Sequence, residues 1–371
     1  MKKTLVALAV LAASGAVMAQ SSVTLSGNVK AGLAQTKYSG LTAGNGSATG
    51  LADGSSRFIL SGTEDLGGGL KANFQVDTRF RMDDNGAAPT SSPLAGGNTF
   101  VGLSGSMGNV QAGKLDTHYC MGSDSHGTRA TALQASSCAL LGYVNSASVG
   151  IANASRITNV VRYTSPSISG LTLQATKSFS QASSEGAVGT TQGGGADHFQ
   201  GVYTQGALTL GASMYEAKSE DQTATVARTG QKASTFMINY NLGFATVGLT
   251  RDDSTQRAAA ASAGYVDTKR TATSLPVTIP MGTGTVIFTY TKADATKTAG
   301  VTNAGTDATL TSLGYDLDLS KRTKLGISYA KLNNNNNAAY GLYTQGALNG
   351  TPAQARGQDS TQFYVGVRHG F

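Results

Sequence analysis

Along "LKANFQVDTRFR" (70–81), Ala72, Phe74, Val76 and Phe80 fall on one parity, and Lys71, Asn73, Gln75, Asp77, Arg79 and Arg81 on the other. A period of two predicts a strand with one apolar and one wet face. The same alternation runs through "SVTLSGNVKAGLA" (22–34), "LTLQATKSF" (171–179), "LTLGASMYE" (208–216), "ATVGLTRDD" (245–253), "TVIFTYTKA" (285–293), "TKLGISYAKL" (323–332) and the closing "TQFYVGVRHGF". No segment beyond the N-terminal twenty residues carries a helical period.

The strands are punctuated in two ways. Tight joints ("EDLGGGL", "SGSMGNV", "SPSISGL", "YTQGAL", "YNLGFA", "PMGTGT", "DLDLSKRT") alternate with long polar stretches at 35–55, 82–97, 116–155, 180–196, 217–230, 253–267, 294–306 and 333–358. Seven short turns and eight long loops imply sixteen strands. Short turns on one rim and long loops on the other describe an all-β, antiparallel transmembrane barrel. Closure is required because an open sheet edge finds no hydrogen-bonding partner in hydrocarbon. It also explains why alternation persists to the last residue: the final strand pairs with the first. Phe363, Val365 and Val367 then face lipid, Phe371 sits near the membrane rim on the same parity, and His369 shares that face at the interface.

The N-terminus adds a destination. Lys2 and Lys3, an apolar run from Leu5 to Ala13 and small residues up to Ala19 follow the order of a secretory signal. The run is too short to span a bilayer. The expected division is a signal peptide at 1–19 and a barrel at 20–371, the latter leaving about 22 residues for each strand with its connection. Charged residues make up 13% of the chain, and glycine (48) far outnumbers proline (6). The net charge of +7 becomes +5 without Lys2 and Lys3, and the remaining cations are scattered. Nucleic acid is therefore not an expected partner. Two cysteines, Cys120 and Cys138, lie in one loop. An oxidising periplasm favours one local disulfide there over two reduced thiols, and the spacing is not a zinc pattern.

"SRFILSGTEDLGGGLKANFQVD" (56–77), "FVGLSGSMGNVQAGK" (100–114), "RITNVVRYTSP" (156–166), "LSKRTKLGISYAKL" (319–332) and "VGVRHGF" (365–371) together resemble the general Gram-negative porins of β-proteobacteria. The resemblance runs from the signal to the last residue. It implies a sixteen-stranded homotrimeric outer-membrane pore for small hydrophilic solutes, with the third long loop folded inward as a constriction. It also makes the C-terminal strand the contact for barrel-assembly machinery, and outer-membrane lipid and lipopolysaccharide the surroundings.

In the resembling porins, wall arginines face acidic groups. By motif position, Arg57 and Arg156 fall in that cluster. Alternation places Arg57 opposite the lipid-facing parity of Phe58 and Leu60. Arg162 shares the parity of Arg156, with Val161 and Tyr163 outward. Lys114 stands where the family often carries arginine, but its parity matches Val110 and Ala112, so it enters the lumen only if the strand bulges or twists. The stretch before "FVGLSG" holds Asn98 in place of a common basic residue. Asp77 on its strand and Asp116 and Asp124 on the loop are the expected acidic side. A thin arginine cluster of this kind predicts a modest anion preference.

Other readings are weaker. "GLSGS" (102–106) is not a nucleophile elbow, and "GTG" (282–284) lacks the third glycine of a dinucleotide site. His118 and His126 share the third loop with Asp116 and Asp124, and both histidines are read as solvated rather than metal-ligating. No enzyme activity and no cofactor are expected. Small or polar inward positions (Thr24, Ser26, Asn28, Thr172, Gln174, Thr176) suit a water-filled lumen better than a closed adhesin barrel. A solute-specific channel for organic acids or sugars is the alternative to a diffusion pore. Tryptophan is absent, so Phe58, Phe74, Phe80, Tyr163 and Tyr329 are expected to supply the aromatic girdles.

Overall fold

The computed structural model describes residues 22–41, 44–53, 56–82, 94–118, 136–141, 156–179, 195–218, 230–259, 265–342 and 354–371. The strands are β1 (Ser22–Ser39), β2 (Gly46–Asp53), β3 (Ser56–Gly67), β4 (Leu70–Phe80), β5 (Thr99–Gly105), β6 (Gly108–Asp116), β7 (Arg156–Thr164), β8 (Leu171–Ser178), β9 (Ala196–Gln205) and β10 (Leu208–Lys218). They continue with β11 (Gly230–Asn241), β12 (Thr246–Ala259), β13 (Tyr265–Met281), β14 (Gly284–Ala293), β15 (Lys297–Thr298), β16 (Val301–Thr302), β17 (Ala308–Asp318), β18 (Thr323–Asn334) and β19 (Asp359–Gly370). Both β2 and β3 pair with β1 and form one interrupted crossing. The hairpin β15–β16 only leans on β13. Sixteen antiparallel crossings remain, and β19 pairs with both β18 and β1, so the sheet closes.

Several strands outrun their apolar pattern. β1 reaches Ser39, β2 begins at Gly46, β12 reaches Ala259 and β13 begins at Tyr265, within stretches read above as loops (35–55 and 253–267). The physical reason is simple. Beyond the lipid band the ladder needs hydrogen bonds but no apolar face, so both parities turn polar and the period-two signal vanishes.

Within the band, alternation does what it predicts. Leu25, Leu33, Val101, Leu313, Val365 and Val367 are exposed on the outside, and lipid covers such a surface. Phe58, Phe74, Tyr163 and Tyr329 are outward and exposed as well, and the rings of Phe58 and Phe80 lie 6.4 Å apart. His369 is exposed at the short-turn rim, its Nδ1 2.9 Å from Thr323 Oγ1. One crossing, β13, contains Pro276, which has no amide proton to donate. The β12–β13 ladder skips the pairs between Val247↔Val277 and Thr250↔Ser274, and a Cβ on the facing Gly248 would lie 2.8 Å from the Pro276 ring. Proline in a ladder is tolerated where pairing is already broken.

The closing seam is long. Asn28↔Gly370 through Ser39↔Asp359 are in register, and Gly27 and Phe371 exchange backbone hydrogen bonds at 3.1 and 3.2 Å. On the inner side the buried Tyr364 ring lies over Gly32 and Gly366, where a Cβ at Gly32 would meet ring and neighbouring backbone alike. Glycine is needed there for close approach, not for turn geometry.

Apolar side chains also gather inside the barrel. Leu115, Ile157, Val160, Ala196, Tyr215 and Ala233 form one buried cluster. In another, Cys138, Leu140 and Leu141 of the third long connection pack with Ala272, Leu310 and Leu332 of the inner wall. Tyr340, from the connection after β18, joins it, and burial pushes its phenol above the ordinary range.

Candidate functional site

The inner face of β3 and β4 is polar because the odd parity there carries Arg57, Gln75, Asp77 and Arg79. Arg57 and Arg79 are directly opposed across the two strands. Two guanidiniums side by side repel unless an anion lies between them. Asp77 supplies it, with its Oδ2 3.6 Å from Arg57 and 3.4 Å from Arg79. The carboxylate is 2% exposed, whereas the Arg57 side chain keeps 22% of its surface open. The backbone of the loop before β5 closes over this group, since Gly97 donates its amide to the Asp77 carbonyl at 2.8 Å. Arg79 was not singled out from the sequence, although its parity with Asp77 is the signal that identifies it.

A second group forms at the top of β6 and β7. Asp116 is the last residue of β6, not a loop residue. Its Oδ1 accepts from Arg156 Nε at 2.9 Å, and its Oδ2 from Asn98 Nδ2 at 2.9 Å. Arg156 also donates to the Gly96 carbonyl at 3.1 Å. Arg162 Nη2 donates to the Asp116 backbone carbonyl, and its Nε to Thr176 Oγ1 at 3.1 Å. The acids are thus interleaved with the arginines. Asp77 and Asp116 do not form a separate acidic side opposite a basic one.

The shared parity of Arg156 and Arg162 does not hold. The β6–β7 register shifts between Gly113 and Leu115, where the single residue Lys114 faces Thr158 and Asn159. Asn159 adopts φ 56° and Gly113 φ 151°. The extra residue reverses the alternation, so Ile157 on one side of the bulge and Val160 on the other both join the inner cluster. Arg156 and Arg162 meet through Asp116 and not through alternation. Lys114, at the same irregularity, lies within electrostatic range of Arg156, Arg79 and Asp116.

Of the other expected residues, Asp124, His126 and Cys120 lie outside the described residues. Cys138 is disulfide-bonded and packs in the inner cluster beside Leu140 and Leu141. Phe363, Val365, Val367 and Phe371 are all exposed on the outer face of the closing seam.

His118 departs most from expectation. It is not solvated but 3% exposed. Its ring lies 6.3 Å from that of Tyr215, close to parallel, and its nitrogens reach Ser213, Thr235 and Asp252. Those partners belong to β10, β11 and β12, four to six places further round the wall than β6. With the Cys138–Leu141 contacts, the described parts of the third long connection both touch the inner wall. Among the described residues, no three His, Cys, Asp or Glu side chains converge as metal ligands would.

A family model described as Gram-negative porin matches residues 4–337. Outer membrane porin protein 32 of Delftia acidovorans is 32% identical over 389 aligned positions that cover all of both chains. Major outer membrane protein P.IB of Neisseria sicca is 39% identical over 129 residues, 34% of each chain. Among solved structures, an anion-selective porin from Comamonas acidovorans superposes with a TM-score of 0.75 at 24% identity, over 95% of this chain and 100% of that one. The trimer form of OmpT from Vibrio cholerae gives 0.66 at 14% identity, over 95% and 99%. A closed sixteen-crossing barrel with an apolar outside and a charged, polar inside, matched along almost its whole length by that family model, makes this chain a member of the Gram-negative porin family, an outer-membrane pore.

Proposed function

We propose that the pore passes small hydrophilic solutes and ions with a modest preference for anions. The observation that carries this reading is the local charge balance. Arg57, Arg79, Lys114, Arg156 and Arg162 gather around Asp77 and Asp116, so among the described residues cations outnumber acids at one level of the lumen. Such an excess biases entry through the local potential without a tight site. The structural neighbour described as anion-selective supports the same sign. Reversal potential in planar bilayers under a salt gradient tests it: an anion-favouring value is expected, and a cation-favouring one overturns the charge assignment.

The same proposal covers export, assembly and surroundings. Residues 1–19 direct export and are removed. The third long connection turns inward, with Cys120 and Cys138 bridged. Three copies assemble into a homotrimer, as in the trimer form of the Vibrio neighbour. The outer apolar face meets outer-membrane lipid and lipopolysaccharide, and the strand ending in Phe371 engages the barrel-assembly machinery.

The chain is a channel and not an enzyme. Ser213, His118 and Asp252 do stand in hydrogen-bonded order, the connectivity of an acyl-transfer triad. However, the Ser213 hydroxyl also contacts His198 Nε2 at 3.0 Å, and the residue is 1% exposed. A nucleophile needs an approachable oxygen with room for a carbonyl beside it. This one is sealed by its neighbours.

A further inference from the structure

The hydrogen bonds around His118 can be assigned a direction from the buried groups themselves. Asp252 is a carboxylate and only accepts. Its Oδ1 takes Ser254 Oγ at 2.7 Å and Arg270 Nη2 at 3.3 Å. Its Oδ2 takes Thr235 Oγ1 at 2.8 Å and His118 Nε2 at 3.2 Å. His118 Nε2 therefore carries a proton. In a neutral ring Nδ1 then accepts, and Ser213 Oγ donates to it at 2.8 Å. Having given its proton, Ser213 accepts from His198 Nε2–H at 3.0 Å. The other His198 nitrogen, buried and without a partner, is left as the bare acceptor, which avoids an unpaired N–H. The row His198–Ser213–His118–Asp252 is consistent in every proton.

The row joins β9, β10 and β12 to a residue of the third long connection, two positions past the end of β6. Its buried polar groups match one another, and a buried donor or acceptor deprived of its partner carries its full desolvation cost. A mispositioned His118 would strand several at once. Its ring is also fixed against Tyr215.

We propose that His118 is the positioning residue of the pore: its bonds to Ser213, Thr235 and Asp252 fix the chain where it leaves β6 and so hold Asp116, two residues earlier, in place between Arg156 and Arg162. This rests on the reading of the chain as a charge-biased diffusion pore. His118 itself is buried. It acts through the backbone it holds.

The test is single-channel recording on three variants of the full chain. His118→Leu keeps the volume and removes all three hydrogen bonds. His118→Gln keeps an amide donor for Asp252 and an oxygen that accepts from Ser213. Ser213→Ala removes one wall partner and leaves the loop residue intact. Folding is checked by heat-modifiable mobility on gels. For His118→Leu, a several-fold rise in open-channel current noise and a fall of the anion-to-cation permeability ratio toward unity are expected. Ser213→Ala should move the same way by less, and His118→Gln should restore wild-type values. The proposal is overturned if folded His118→Leu conducts as wild type does. It is equally overturned if His118→Gln fails as badly as leucine, because ring packing on Tyr215 would then be what matters. Should His118→Leu not fold, the contrast between Ser213→Ala and His118→Gln decides on the same terms. A wild-type pore without anion preference would defeat the charge reading, while noise and conductance would still report on the latch.

Discussion

The Asp77 carboxylate lies 3.6 Å from the guanidinium of Arg57, and the same oxygen is 3.4 Å from Arg79 on its own strand. One buried acid thus holds two opposed cations together, and the trio keeps one net positive charge. A unit charge about 8 Å from an ion's path in water contributes about 0.5 kcal/mol before screening and roughly 0.2 kcal/mol after one Debye length. It acts with opposite sign on anion and cation. Arg57→Ala or Arg79→Ala should therefore lower the anion-to-cation permeability ratio roughly two-fold, and Asp77→Asn should raise it by a similar factor. Reversal potentials at two salt concentrations check both the sign and the screening.

Asp116 serves its two arginines differently. Arg156 binds its carboxylate, and Arg162 its backbone carbonyl. Asp116→Asn should therefore uncouple Arg156 and leave Arg162 in place. A double-mutant cycle on denaturation midpoints should give a coupling of about 1 kcal/mol or less for the partly exposed pair 116/156. The pair 116/162 should show less, through charge alone, and equal coupling in both would contradict the geometry.

Val365 lies at the centre of the outward trio on β19. Val365→Arg places a guanidinium against lipid and should destabilise the folded barrel by about 2–4 kcal/mol. The change is readable as a lowered urea midpoint in lipid vesicles. Arginine at the adjacent Tyr364, which faces inward, would act through packing and not through lipid.

The seam depends on Gly32. Any side chain there meets the Tyr364 ring and the backbone of β19. Gly32→Val should destabilise by about 1–3 kcal/mol, the scale of overpacking. Heat-modifiable gel mobility should show the loss, and the added change Tyr364→Ala should recover part of it by vacating the space.

A bridge between Cys120 and Cys138 should leave neither thiol open to maleimide until a reductant is added. Closing a loop of this size restricts the unfolded chain by about 3 kcal/mol. Cys120→Ser should therefore loosen the loop, seen as greater current noise, without unfolding the barrel. Labelling of unreduced protein would refute the bridge.

The strands were legible because lipid and lumen impose opposite polarities on neighbouring residues, as Phe74 and Gln75 show. Arg57 and Asp77 were legible for the same reason, and Arg79 shares that wet parity, although its place directly opposite Arg57 shows only in the register of the two strands. The bulge at Asn159 was not. An asparagine in "RITNVV" reads as an ordinary strand residue, and only the register of two strands reveals that the faces reverse there. His118 was also out of reach. Its partners Ser213 and Asp252 are 95 and 134 residues away in sequence, and their approach depends on the curvature of a closed wall. Local periodicity carries no information about which inward residues meet across a lumen.

The pairing of β1 with β19 has a consequence for the order of events in folding. Every other neighbouring pair joins segments adjacent along the chain and can zip as a hairpin. The seam joins residues 28–39 to 359–370, so its contacts are among the most distant in sequence made by the described residues. Non-local contacts form late, because the entropy of bringing their strands together comes before any reward. Until that step, β1 and β19 each present a bare edge. A copy arrested there is open to pairing with a second such copy, and the window closes only when Phe371 reaches Gly27.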